Sequence, residues 1–89
     1  MRVDFKKSFR RDLKKVKDKI VLQHVKEAIE QVEEAPNLNM ITNLKQLKGE
    51  GEYFRIRIGD YRIGLKLEND MFIFIRFLHR KDIYRYFPS

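Results

Sequence analysis

Apolar and polar residues alternate with a period of two from Tyr53 to Leu67, YFRIRIGDYRIGLKL. Phe54, Ile56 and Ile58 fall on one side of this run and Arg55 and Arg57 on the other. Tyr61, Ile63, Leu65 and Leu67 then alternate with Arg62, Gly64 and Lys66. That period marks half-buried strands, and Gly59-Asp60 between the runs is a two-residue hairpin signal. Closing the hairpin there sets Ile58 opposite Tyr61, Arg57 opposite Arg62 and Arg55 opposite Gly64. A third run, Met71 to Leu78, follows Glu68-Asn69-Asp70. With those three residues as the loop, Met71, Ile73, Ile75 and Phe77 join the apolar face and Arg76 stands opposite Arg62. The other register would bury Arg76 as an unpaired charge, which is costly.

Ahead of these runs the spacing becomes helical. Ser8 is placed to cap a helix whose buried stripe is Phe9, Leu13 and Val16. Ile20, Val21, Val25, Ala28, Ile29 and Val32 recur at three- and four-residue steps, which predicts a second helix from about Asp18 to Ala35, stopped by Pro36. His24 lies in that helix among apolar neighbours, as a structural residue. Met1 to Phe5 reads as a first strand, and Asn37 to Gly51 as a connector anchored by Leu38, Met40, Leu44 and Leu47. The expected fold is α+β, with an N-terminal strand and a two-helix hairpin packed on a mainly antiparallel twisted sheet. The chain has 89 residues, no internal repeat and no linker, so residues 1–89 are expected to form one domain.

Charge sharpens the picture. Lys and Arg number 20 against 13 Asp and Glu, a net charge of +7, which suits a polyanion or an acidic protein. Arg57, Arg62 and Arg76 are expected to form a row across the sheet with no acid among them, whereas a face that serves only solubility mixes both signs. Like charges directly opposite one another destabilise a sheet, so the row makes sense with an anion on it. Lys45 and Lys48 flank the entrance to the sheet and are candidate phosphate contacts, as are Arg55, Lys66, Arg76 and Lys81. The basic run Lys6 to Lys17 reads as the solvated face of the first helix. Cysteine is absent, which excludes disulfides and thiol catalysis. No signal-like segment and no apolar run of membrane-spanning length occurs, so the expected location is cytoplasmic. The P-loop, HExxH, Cys/His and G-x-S-x-G motifs are all missing. The two histidines are far apart, and neither a metal nor a cofactor is expected.

The blocks LKGEGEYFRIRIGDYRIGLKLEND and FIRFLHRKDIYRYF resemble the RelE/ParE superfamily of bacterial type II toxins, in particular its RelE-like branch of ribosome-dependent endoribonucleases. The resemblance implies the microbial-ribonuclease-type toxin fold. It also implies an mRNA-cutting enzyme of the ribosomal A site that needs no metal and is held inactive by a cognate antitoxin. On the matching positions, Arg55 and Arg57 are the basic residues before the GDYR turn and Arg62 is the arginine expected to hold the scissile phosphate. Arg80 is the arginine after the last strand, and Tyr84 the C-terminal tyrosine that stacks on a base or assists the 2′-hydroxyl. The founding member has lysines where Arg55 and Arg57 stand. Because arginine keeps its proton, His79 becomes the natural substitute as acid or base.

Metal-free RNA cleavage needs a base for the 2′-hydroxyl, cations for the phosphorane and an acid for the 5′-oxygen. Arg57, Arg62 and Arg80 are expected to supply the charge, His79 the proton transfer and Tyr84 a stacking surface. The alternatives are a ParE-like inhibitor of DNA gyrase on the same fold and a catalytically silent RNA-binding module.

Overall fold

In the computed structural model, which describes residues 1–47, 49 and 51–88, the predicted helices and strands form where the patterns place them. Strand β1 (Arg2–Phe5) leads into helix α1 (Lys7–Lys14) and helix α2 (Lys19–Glu34). The Asp18 side chain caps α2 by accepting from the backbone N–H of Ile20 at 2.9 Å and of Val21 at 3.4 Å. Pro36, with no N–H to give, follows directly after the C-cap Ala35. Ser8 does not cap α1. Lys6 holds that position, and the Ser8 hydroxyl donates to the Ile75 carbonyl.

The connector after α2 carries a short strand, β2 (Leu44–Gln46), that no alternation in so short a segment reveals. Of its expected anchors Leu38 and Leu44 pack against the core, joined there by the buried Ile41, while Met40 is exposed. His24 is exposed as well, on the outer face of α2. Strands β3 (Tyr53–Ile58), β4 (Tyr61–Glu68) and β5 (Met71–His79) form a meander, and the sheet order is β1-β5-β4-β3-β2, with only the β1–β5 pair parallel. Phe9 of α1 and Val25, Ala28 and Val32 of α2 pack with Phe54, Ile56, Ile63, Leu65, Phe72, Phe74 and Phe77 in one core between helices and sheet.

The β3–β4 register is the one the alternation predicts, with Arg57 opposite Arg62 and Arg55 opposite Gly64. Gly59, at φ 56°, opens the turn in the left-handed region that glycine tolerates best. The β4–β5 register differs from expectation. Its loop is Asn69-Asp70, with φ 51° and 62°, the two-residue geometry of a type I′ turn, so Glu68 pairs with Met71. Phe72 and Phe74, rather than Met71, Ile73 and Ile75, therefore enter the core. Continuing that register would bury Arg76, and the strand avoids this with a bulge. Leu65 pairs with Phe74 and Gly64 with Arg76, leaving Ile75 unmatched. The extra residue returns Phe77 to the core and Arg76 to the polar face, opposite Gly64 instead of Arg62.

Beyond Phe74 the outer edge of β5 has no strand partner, because β1 ends at Phe5. Helix α1 covers it. The Lys6 N–H donates to the Phe74 carbonyl at 2.9 Å, and the Asp12 carboxylate accepts from the Phe77 N–H at 3.0 Å and from Arg76 Nε at 2.7 Å. Asp12 is 3% exposed, so its charge is compensated almost wholly by these groups. Replacing Asp12 with alanine should destabilise the protein by about 2–3 kcal/mol, since it strands both a buried N–H and a half-buried guanidinium. Urea unfolding measures this, and an unchanged midpoint would refute the role assigned to the carboxylate.

Candidate nucleic-acid interface

Residues paired across a sheet share a face, so the register lays out the polar surface row by row. Arg57 and Arg62 form one row, Lys45, Arg55, Gly64 and Arg76 the next, and Tyr53, Lys66 and Ile73 the third. Several of these side chains are held in place. Arg55 Nη1 donates to the Asn43 carbonyl at 2.6 Å, and Asn43 itself sits at φ 64°, turning the chain into β2. Arg62 Nη1 donates to the carbonyls of Gly59 at 2.8 Å and Tyr61 at 2.9 Å, folding its guanidinium back over the hairpin turn. That anchoring leaves the remaining guanidinium N–H groups able to face an incoming anion.

The C-terminal segment brings two further groups to the same place. The Arg80 N–H donates to the Asp60 carbonyl at 2.7 Å, tying the end of β5 to the β3–β4 turn, and its Nε lies 3.9 Å from the Asp60 carboxylate. Helix α3 (Ile83–Tyr86) follows, with Tyr84 59% exposed. Burial, together with the charges of Arg55 and Arg57 and, more weakly, Arg80, holds the Arg62 guanidinium below its ordinary value, and Tyr84 acts in the opposite sense. Arg62 stays charged at any physiological pH. Beyond burial, the contributions of Arg55, Arg57 and Arg80 reflect cations that crowd one another on this surface, which an anion would relieve.

Other predicted residues stand elsewhere. Arg76 is committed to Asp12, with its guanidinium carbon 5.7 Å from the Tyr86 ring centroid, so it braces the fold and does not complete the arginine row. His79 pairs with Tyr61, packs edge-on against that ring at 5.7 Å and shares the face that carries Phe77 and Ile63. Its Nδ1 accepts from the Lys81 N–H at 3.1 Å, which leaves the ring proton on Nε2. It is thus on the other side of the sheet from Arg62, because an odd step along a strand reverses the side chain. Lys66 lies 3.6 Å from Glu68 and over the Tyr53 ring. Lys45 and Lys81 are exposed. Lys48 lies outside the described residues.

Two participants escaped the sequence reading. Asp12 looks like one more surface charge in a basic helix. Phe87 is 3% exposed and packs against Gly64 and Tyr53 on the arginine-bearing face. A glycine within a strand does signal close approach of another group, and Gly64 carried that signal. Among the described residues, no group of three or more His, Cys, Asp and Glu side chains stands together as a metal site, and no helix is long and apolar enough to cross a membrane.

Residues 3–84 match the family described as ParE toxin of type II toxin-antitoxin system, parDE. Toxin RelE3 of Methanocaldococcus jannaschii is 45% identical over 89 residues, which span 99% of this chain and 100% of that protein. The RelB-RelE antitoxin-toxin complex from Methanococcus jannaschii contains a chain of the same fold, with TM-score 0.81, 42% identity and coverage of 96% of this chain and 99% of that one. The RelBE2 toxin-antitoxin complex from Mycobacterium tuberculosis gives TM-score 0.68 and 27% identity, covering 89% of this chain and 96% of the other.

The crowding of cations has a measurable cost. Arg57→Gln removes one of two directly opposed charges and should raise stability by about 0.5 kcal/mol, or roughly 2–4 °C in unfolding temperature at low salt. The gain should fade at about 0.5 M salt. A lower or unchanged unfolding temperature at low salt would show that the guanidinium groups do not repel one another appreciably.

Proposed function

Because the chain belongs to the ParE toxin family of type II toxin-antitoxin systems, and its relatives include RelE toxins, we propose that it is a ribosome-dependent endoribonuclease cutting mRNA in the A site. The observation that carries this reading is the gathering of Arg55, Arg57 and Arg80 about a partly buried Arg62, with the exposed ring of Tyr84 beside them. Such a surface suits a phosphate flanked by an unstacked base.

The reaction is attack of a ribose 2′-oxygen on the adjacent phosphorus. The P–O2′ bond forms as the P–O5′ bond breaks, giving a 2′,3′-cyclic phosphate and a 5′-hydroxyl. Arg62, Arg57 and Arg80 stabilise the charge on the non-bridging oxygens. Arg55 and Lys45 extend the track for neighbouring phosphates, with Lys66 and Lys81 at its margins. The proton taken from the 2′-oxygen and the one delivered to the 5′-oxygen need a carrier, and arginine is a poor one. His79 faces away, so Tyr84 is the group on this surface best suited to exchange a proton. An open basic face that depends on a phenol for proton transfer relies on its substrate being presented in a reactive conformation, which is what an mRNA held on the ribosome offers. The cytoplasm is then the place of action. A cognate antitoxin is the expected partner, as in the solved RelB-RelE complexes. A disordered acidic or amphipathic segment folding over the arginines is the simplest way to silence them.

The first test is primer extension on a defined mRNA in a purified translation system, with and without ribosomes. Cuts confined to A-site codons and to reactions containing ribosomes are expected. The ParE description of the family favours gyrase inhibition as the second reading, and intact mRNA with blocked DNA supercoiling would establish it. Ribosome binding without cleavage would identify a silent RNA-binding module.

Within the nuclease reading, Arg62→Ala should lower cleavage by about a hundredfold or more while leaving the unfolding transition cooperative. Near-native activity would remove Arg62 from the mechanism. His79→Gln should leave the pH dependence of cleavage unchanged near neutrality. A flattened profile would return the proton transfer to the histidine. If Tyr84 moves the proton, Tyr84→Phe should cost as much as Tyr84→Ala, and if its ring only stacks, the phenylalanine variant should retain most activity.

A further inference from the structure

Helix α3 is a single turn, too short to hold its shape alone, yet it carries Tyr84 to the arginines. Two buried side chains one turn apart seat it on the sheet, Ile83, which is fully buried, and Phe87, which is 3% exposed, and Tyr86 adds its ring over Arg76. Ile83 and Phe87 lie outside the main core cluster. The Phe87 N–H donates to the Ile83 carbonyl at 2.8 Å, closing the turn. The Phe87 ring rests on Gly64, in the space a side chain would occupy. A Cβ built on Gly64 would lie 2.7–2.8 Å from three of its ring carbons. Tyr53 flanks the ring edge-on at 5.6 Å. Gly64 itself lies in the row between Arg55 and Arg76, two residues along β4 from Arg62.

We propose that Phe87 seated on Gly64 is a latch that fixes α3 so that Tyr84 meets the arginine cluster, which makes Gly64 and Phe87 positioning residues for cleavage. The need for glycine here is one of space, since only a residue without Cβ lets an aromatic ring approach the strand this closely. The nearest ring of the latch is also linked to the fold's edge. Arg76, the next residue in that row, is held by Asp12 and lies beneath the Tyr86 ring, so α1 braces the surface on which α3 lies. This inference rests on the nuclease reading for its consequence but not for its geometry.

Three variants test it: Phe87→Ala, which empties the seat, Gly64→Ala, which fills it, and Gly64→Ala with Phe87→Leu, which restores room for a smaller knob. Ribosomal cleavage should fall roughly a hundredfold in the first two, the scale expected for misplacement of a reacting group by about 1 Å, with partial recovery in the third. Because a general loss of stability would also lower activity, the deciding comparison is a double-mutant cycle with Tyr84→Ala. Phe87→Ala should cost nothing further once Tyr84 is gone, whereas losses that multiply would overturn the latch. So would full activity in Phe87→Ala. Hydrogen exchange gives a second, activity-free readout. In Gly64→Ala, protection should drop at residues 83–87 and persist in the strands. If Gly64→Ala does not fold, the same measurement is made on Phe87→Ala, where the amides of Arg85 and residue 87 remain as reporters. Should the wild-type chain cut no mRNA, the nuclease reading falls, and exchange decides the latch by itself. Protection lost only in 83–87 sustains it, and unchanged protection overturns it.

Discussion

One unmatched residue in β5 governs how this small sheet can be apolar on one side and strongly cationic on the other. Phe74 and Phe77 both belong to the core, yet three steps separate them, an odd number that strict alternation cannot accommodate. The bulge at Ile75 absorbs the difference. Without it, and with Phe74 in the core, Phe77 would leave the core and Arg76 would enter it. The bulge also leaves backbone groups of β5 facing outward, and α1 meets them with Ser8 and with the Asp12 carboxylate. Asp12 serves the strand edge and Arg76 together, so a single buried charge closes the sheet edge and secures the cation beside it.

The arginine face follows a different economy. Arg57 and Arg62 are directly opposed, Arg55 and Arg80 are near, and among the described residues the acid that an ion pair ties to this group is the exposed Asp60, 3.9 Å from Arg80. Directly opposed like charges cost stability, and an anion seated between them would remove that cost. On the proposed reading this is the trade common to binding sites, a recognition surface kept at the expense of folding energy. On the other side of the sheet the close-packed core, in which Phe5 stacks on Phe9 and Phe74 lies tilted against both, supplies support. An open, charged sheet face with an aromatic turn over it suits, on the proposed reading, a substrate presented by another body better than a substrate that must be enclosed.

Much of this was legible in the residues. The β3–β4 register, the position of α2 between Asp18 and Pro36, the N-terminal strand and the shared face of Arg55, Arg57 and Arg62 all follow from local rules of period, turn and cap, which act between residues close in sequence. The GDYR and HRKDIY blocks carry the family resemblance. Other features depended on contacts between distant segments. Whether Glu68 belongs to the turn or to the strand is decided by which phenylalanines the helices can cover. The partner of Arg76 is 64 residues away. His79 and Arg80 are neighbours in sequence; alternation along β5 sends His79 to the Tyr61 side, and the bond from the Arg80 N–H to the Asp60 carbonyl holds Arg80 at the β3–β4 turn beside the arginines. The seat of Phe87 on Gly64 joins residues that no periodicity links. The sequence by itself determined which segments become helix and strand and which charges share a face, because those choices are made within a few residues. The tertiary structure decided which of those charges are free to act and which brace the fold, because that depends on what packs across the sheet.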